Sequence, residues 1–173
     1  MLSVGVEVLD RLDRLIKKHK LHGRGAEPVD LSPLLEEFKT TYSDLPPDVE
    51  AALVRWRAHG HTFTRLLYHP DLREPGHTAR RRYAGAHELA HAICEHRGDL
   101  YMIWRAGDHP NDADLYIDRC QEQECDRVAA YLLIPMEALR EMAGMDANYI
   151  AGVLDVPAHL VPLRWELWRK WGR

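Results

Sequence analysis

His87-Glu88-Leu89-Ala90-His91 constrains this chain more than any other stretch. It is an H-E-x-x-H string inside a proline-free segment, 79–97, that reads as a helix. Residues four apart on a helix stack on one face, so two imidazoles at this spacing can grip one cation. The glutamate between them is left to reach a water on that cation. Thr78 is placed to cap the helix, and His96, Arg97 and Gly98 read as its last turn and its stop. Ala84, Ala86, Leu89, Ala90, Ala92 and Ile93 supply small and apolar positions for burial. A buried, packed helix is what holds ligating imidazoles in fixed orientation and tautomer.

A catalytic zinc takes three protein donors and keeps one position open. The third donor is expected from the segment 120–135, Cys-Gln-Glu-Gln-Glu-Cys-Asp-Arg-Val-Ala-Ala-Tyr-Leu-Leu-Ile-Pro. This also reads as a helix, starting near Asp112 or Asp114 and ended by Pro135. Glu122 and Asp126 are four apart and share a face. Glu122 is therefore placed to bind the ion while Asp126 accepts the remaining N–H of a ligating histidine. Cys125 and Ala129 are small enough for two helices to approach closely. Glu124 is the alternative ligand. On a regular helix it points about 160° away from Glu122, and Val128 rather than a carboxylate stands four residues beyond it.

Taken together, Arg82-Tyr83-Ala-Gly-Ala-His87-Glu88-Leu-Ala-His91 and Glu122-x-Glu-Cys-Asp126-Arg-Val-Ala-Ala-Tyr-Leu-Leu-Ile-Pro135 resemble the ImmA/IrrE family of metallopeptidases over roughly positions 60–140. Cys125 stands where that family usually has Ala, Val128 where it has Phe, and Ile134 where it has Met. None of these departures removes a candidate ligand or the base. The resemblance implies an α+β, mainly helical, zincin-like domain with a glutamate as third ligand. It also implies site-specific cleavage of a cognate helix-turn-helix repressor. On this reading one Zn²⁺, or another divalent ion in its place, is held by His87, His91 and Glu122. Glu88 is the general base and Asp126 orients a histidine. Tyr83, Tyr101, His109, Tyr116 and Tyr131 all stand as candidates for oxyanion stabiliser.

Composition narrows the setting. At 173 residues with 46% hydrophobic content, the chain can bury a core of its own. A net charge of −4 does not mark the whole chain as nucleic-acid-binding. It shows no secretory leader and no apolar run long enough to span a bilayer, so a cytoplasmic location is expected. Cys94, Cys120 and Cys125 read as reduced thiols. Cys94 falls one turn beyond His91 on nearly the same face; it reads as a small buried filler, with a ligand role as the alternative. His59, His61, His69, His77, His96 and His109 have no ligand spacing and are expected on the surface or in loops.

Three segments are expected: a helical stretch 1–45, the peptidase core 46–140 and a helical stretch 141–173. Residues 3–20 carry an amphipathic stripe of Val4, Val8, Leu12, Leu15 and Ile16. Residues 31–42 read as a second helix with Ser32 as cap and Pro33 at its first position. Residues 52–58 and 62–68 read as a hairpin turning at His59-Gly60, beside the metal helix, with an edge able to pair with an extended peptide. Residues 100–104 read as a further strand and 107–111 as a turn. Arg80-Arg81-Arg82 reads as a solvated turn, with a clamp for substrate carboxylates as the alternative. Residues 148–164 have a helix-turn-helix look, but 157–164 contribute only Arg164 as a strong cation. Trp165 and Trp168 share a face there. Two rival functions remain at this stage: a zinc-holding module that binds a repressor without cutting it, and a DNA-binding regulator using the C-terminal helices.

Overall fold

The computed structural model of the chain describes residues 4–23, 25–96, 100–104 and 119–172. In chain order the elements are α1 (Val6–His19), α2 (Ser32–Glu37), β1 (Thr41–Tyr42), β2 (Val49–Ala58), β3 (His61–Tyr68), α3 (Thr78–Ile93), β4 (Leu100–Trp104), α4 (Arg119–Leu133), α5 (Met136–Glu141), α6 (Ala147–Leu154) and α7 (Leu160–Trp171). This is the expected α+β, mainly helical domain with a small sheet against the H-E-x-x-H helix.

The hairpin forms where alternation and turn chemistry place it. β2 and β3 pair antiparallel from Ala51↔Tyr68 to Ala58↔His61. His59 (φ 51°) and Gly60 (φ 77°) both take the left-handed conformation that a two-residue turn matching strand twist requires. β4 adds antiparallel to the other side of β2, and β1 adds parallel to the end of β3, giving the order β1-β3-β2-β4. β2 is therefore interior, and β4 is the outer strand of the sheet among the described residues. Along β2, Val49–Leu53 are buried, whereas Trp56 and Arg57 emerge into solvent.

α3 packs on this sheet on one side and on α4 on another. Residues 84–91 of α3 are buried without interruption, as are 128–133 of α4. A helix buried all round needs no clean amphipathic stripe, which is why both segments read as apolar runs around charged residues. Leu89 and Ala90 of α3, Cys125 and Ala129 of α4, Leu9 and Leu12 of α1, and Leu160 of α7 share one apolar cluster. A second, smaller cluster of Ala51, Leu53, Leu66, Tyr68, Leu72 and Ala84 fills the space between the sheet and the start of α3.

Several element boundaries differ from the sequence reading. α2 stops at Glu37; Lys39 turns left-handed (φ 47°), and Thr41–Tyr42 leave the expected helix to pair with Leu67 and Tyr68. A β-branched and an aromatic residue next to an open strand gain more from the sheet than from prolonging a short helix. Thr78 does not cap α3. It is the first helical residue, and its hydroxyl donates to the Pro75 carbonyl. α3 also ends at Ile93, before the expected Gly98 stop, because Glu95 takes the left-handed position (φ 58°) and the His96 amide donates back to the His91 carbonyl. The start of α4 near Asp112 or Asp114, the Gly98 stop and the 107–111 turn lie outside the described residues.

The three arginines lie within the first turns of α3 itself, Arg80 exposed and Arg81 and Arg82 half-buried. Arg80 pairs with Glu50, and Arg81 donates to the Leu72 carbonyl. Arg82 donates to the carbonyls of Val29, Leu154 and Asp155, joining α3 to the segment before α2 and to the end of α6. The C-terminal helices pack on the core. Arg164, only 2% exposed, donates to the Ile134 carbonyl and lies over the Tyr131 ring. The strong cation that a recognition helix here would need is thus committed to the interior. The Trp165 and Trp168 rings meet edge to face 5.6 Å apart. Among the described residues no helix is long and apolar enough to cross a membrane.

Candidate metal centre

Helical spacing puts His87 and His91 one turn apart on the buried face of α3, their rings edge to face at 5.6 Å. The crossing of α3 by α4 brings Glu122 to both. Glu122 Oε2 is 2.9 Å from His87 Nε2, and Oε1 is 3.5 Å from His91 Nε2. Four residues on, Asp126 Oδ1 is 3.0 Å from His87 Nδ1 and accepts the Tyr83 hydroxyl at 2.8 Å. One carboxylate thus faces the inward nitrogens while the other holds the outward nitrogen of His87.

The charges of this cluster are set by burial and neighbours. Burial by itself would lower the His87 pKa, but the bonds to Asp126 and Glu122 outweigh it and raise it to about 10. Burial first, and then the raised His87 beside it, push His91 down to about 2. Asp126 ends below the ordinary carboxylate value: burial would raise it, and its bonds to His87 and Tyr83 more than reverse that. The two histidine shifts run in opposite directions and favour a proton on the His87 ring, between Asp126 and Glu122, over one on His91. An ion bound to the Nε2 atoms of His87 and His91 and to Glu122 would supply positive charge in place of that proton. Two imidazoles and a carboxylate suit Zn²⁺ and its borderline neighbours.

Glu88 is fully buried between α3 and the sheet, where its Oε2 accepts the Leu53 amide of β2 at 3.1 Å. A second donor set overlaps the first: ligand atoms of His87, His91 and Cys125 all lie within 4.8 Å of one another. Burial drives the Cys125 thiol far above its ordinary pKa, so it is a neutral neighbour of His91 and His96. The carboxylate of Glu122 is the better donor on charge and on its contact with both Nε2 atoms.

Two residues fall where the sequence reading did not put them. His96, expected on the surface, is 8% exposed, and its Nδ1 is 3.0 Å from His91 Nδ1. Glu124, expected to point away, has Oε2 3.3 Å from His96 Nε2. It meets the site at one imidazole's remove. Both errors have one cause, the early left-handed end of α3, which folds His96 back beneath His91. No spacing rule signals this, since Glu95 is not a residue that usually ends a helix. His159, unremarked in the sequence, sits edge to face with Tyr83 at 5.2 Å. Of the oxyanion candidates, Tyr83 is bonded to Asp126 and Tyr131 donates to Asp13 at 2.7 Å. The side chain of Tyr101, and His109 and Tyr116, lie outside the described residues. Cys94 is half-buried, its thiol pushed up to about 12 by burial and then by Glu124.

A buried H-E-x-x-H helix, crossed by a carboxylate-bearing helix and backed by a small mixed sheet, defines a metallopeptidase domain. Residues 47–162 match the family model described as the IrrE N-terminal-like domain, a peptidase family, and the chain belongs to that family. The match is wider than the two motif helices and takes in the hairpin and the start of α7. A search of curated proteins finds no match.

Proposed function

We propose that this protein is a zinc-dependent endopeptidase that cuts a cognate helix-turn-helix repressor at a specific site in the cytoplasm. The observation that carries the hydrolytic part is the placement of Glu122 against both Nε2 atoms while Asp126 holds Nδ1 of His87. His87, His91 and Glu122 are the ligands on this reading. A zinc ion held by them would supply a water of lowered pKa and a Lewis acid for the scissile carbonyl. The chain's own residues do the rest. Glu88 takes a proton from the attacking water and delivers it to the leaving amine. The Leu53 amide steadies the Glu88 carboxylate on the sheet side. Asp126, itself held by Tyr83, fixes the tautomer of His87 so that Nε2 offers its lone pair inward. Family membership supports a protein substrate. The repressor as that substrate rests on the ImmA/IrrE resemblance.

Glu88→Gln tests the reading. The change is nearly isosteric and spares the ligands, so fold and zinc content should persist. Cleavage should fall by about 10²–10⁴-fold, the usual weight of general-base catalysis. The comparison is wild type against variant, with zinc measured in both, on a helix-turn-helix repressor encoded beside this chain's gene. Equal cleavage by the two would sink the hydrolytic mechanism. Binding of the repressor by both, with cleavage by neither, would establish a regulatory module in its place.

A further inference from the structure

We propose that Cys94, His96 and Glu124 form a second metal site, for a thiophilic divalent ion, whose filling opposes the filling of the first. The coupling half of this proposal rests on His91 being a ligand of the first site through Nε2. The geometry comes from the turn ending α3. One donor atom of each of the three residues lies within 4.8 Å of the other two. In a tetrahedral zinc site, donors of these types stand about 3.3–3.6 Å apart. His96 Nε2 and Glu124 Oε2 are at 3.3 Å already.

The turn is held from several sides. Arg11 of α1 donates to the Ile93 carbonyl and pairs with Glu95 at 2.9 Å. Arg55 of β2 donates to the His96 carbonyl at 2.8 Å, and the His96 amide returns to His91. His96 is thus fixed at both of its backbone groups, with one ring nitrogen on His91 and the other aimed at Glu124. Cys94 and Glu124 are only partly buried, so both donors are open to solvent from which an ion would arrive. On binding, the Cys94 thiol releases its proton to solvent, as coordinating thiols do, and the resulting thiolate with an imidazole and a carboxylate favours Zn²⁺, Co²⁺ or Cd²⁺ over Mg²⁺ or Ca²⁺.

The antagonism follows from where hydrogens sit on neutral imidazoles. With Nε2 of His91 on an ion, its Nδ1 carries hydrogen and donates to His96 Nδ1. His96 then carries its own hydrogen on Nε2, donated to Glu124. An ion in the second site takes that Nε2 lone pair and moves the hydrogen to Nδ1. Two N–H groups would then face each other across 3.0 Å. His91 loses the bond to His96 that supported it as a ligand, and the loss of such a partner typically costs about 10–100-fold in metal affinity. Coupling of binding free energies is reciprocal, so the first ion weakens the second by the same factor.

The test is a Co²⁺ titration of the metal-free full chain, read by absorption and by equilibrium dialysis. Two equivalents should bind, and a thiolate-to-cobalt charge-transfer band should grow with the second. Cys94→Ser should abolish the band and Glu124→Gln should weaken the second equivalent, while Cys120→Ser and Cys125→Ala keep both. In His87→Ala, which disables the first site without touching His91 or His96, Co²⁺ should enter the second site about 10–100-fold more tightly than in wild type preloaded with one Zn²⁺. A wild type that binds one equivalent with no thiolate band overturns the second site and leaves the first standing. A band that survives Cys94→Ser and vanishes in Cys125→Ala overturns it too, by making Cys125 the ligand. Equal second-site affinity in His87→Ala and preloaded wild type overturns the antagonism. Two equivalents retained in His87→Ala would count instead against His87 as a ligand.

Discussion

Glu122 and Glu124 stand two residues apart on one helix and do different work. Glu122 touches the inward nitrogens of both motif histidines, whereas Glu124 meets His96. Removing charge at the ion itself should cost more than removing it one imidazole away. Glu122→Gln should weaken the first equivalent of zinc by more than about 100-fold, beyond the roughly 10–100-fold typical of an outer partner. Glu124→Gln should stay at or below that range for the same equivalent. Competition against a chelator of known affinity gives both numbers; the opposite ranking would make Glu124 the third ligand. The preference for Glu122 was legible from its partnership with Asp126 at i+4. The place of Glu124 was not, because it depends on a histidine returned by a turn.

Between elements, the tightest fit is where α3 meets the sheet. A Cβ on Gly85 would overlap Tyr68 Oη and stand 3.2 Å from its Cζ. The ring cannot swing aside, since Tyr68 is buried in the small cluster with Leu53, Leu66 and Ala84. Gly85→Ala should therefore destabilise the fold by about 1–3 kcal/mol, the usual scale for overpacking. Tyr68 Oη is itself buried without a hydrogen-bond partner among the described residues. Tyr68→Phe should then be neutral or stabilising, and it should recover much of the Gly85→Ala loss. Chemical denaturation of the two single variants and the double variant gives the coupling. Strictly additive losses would mean that the overlap is relieved elsewhere.

Across the whole molecule, polar links tie the N-terminal segment to α3 and α4, and the one made by His22 is sensitive to pH. His22, just after α1, donates from Nε2 to the Leu132 carbonyl of α4 at 2.9 Å. Burial lowers its pKa from the ordinary 6.5, although the bond to Leu132 acts the other way. The sign follows: below 6.5 the unfolded chain takes up a proton at this position that the folded chain refuses. The contribution to stability is therefore complete above about pH 6.5 and drains as pH falls below it, by at most about 1.4 kcal/mol per pH unit. His22→Gln keeps a donor for Leu132 but cannot titrate. Its urea midpoint should fall less between pH 7 and pH 5 than that of wild type. Parallel losses in both proteins would assign the acid sensitivity to other groups.

What the sequence determined by itself is what lies within one element. The i, i+4 pairs His87/His91 and Glu122/Asp126 share faces because helix geometry leaves no choice. The two-residue turn at His59-Gly60 set the register of the hairpin for the same local reason. The tertiary structure decided where elements stop and what meets across them. α3 ends at Ile93 because Arg11 and Arg55, from a helix and a strand far away in sequence, satisfy the carbonyls of Ile93 and His96. β1 exists because β3 offers it an edge. Arg82 read as part of a solvated turn and Arg164 as the one strong cation of 157–164, and distant carbonyls take up both. Helix ends and buried polar groups are satisfied by whatever the fold brings near. Local spacing cannot foresee those partners, and here they placed His96 and Glu124 beside the candidate metal centre.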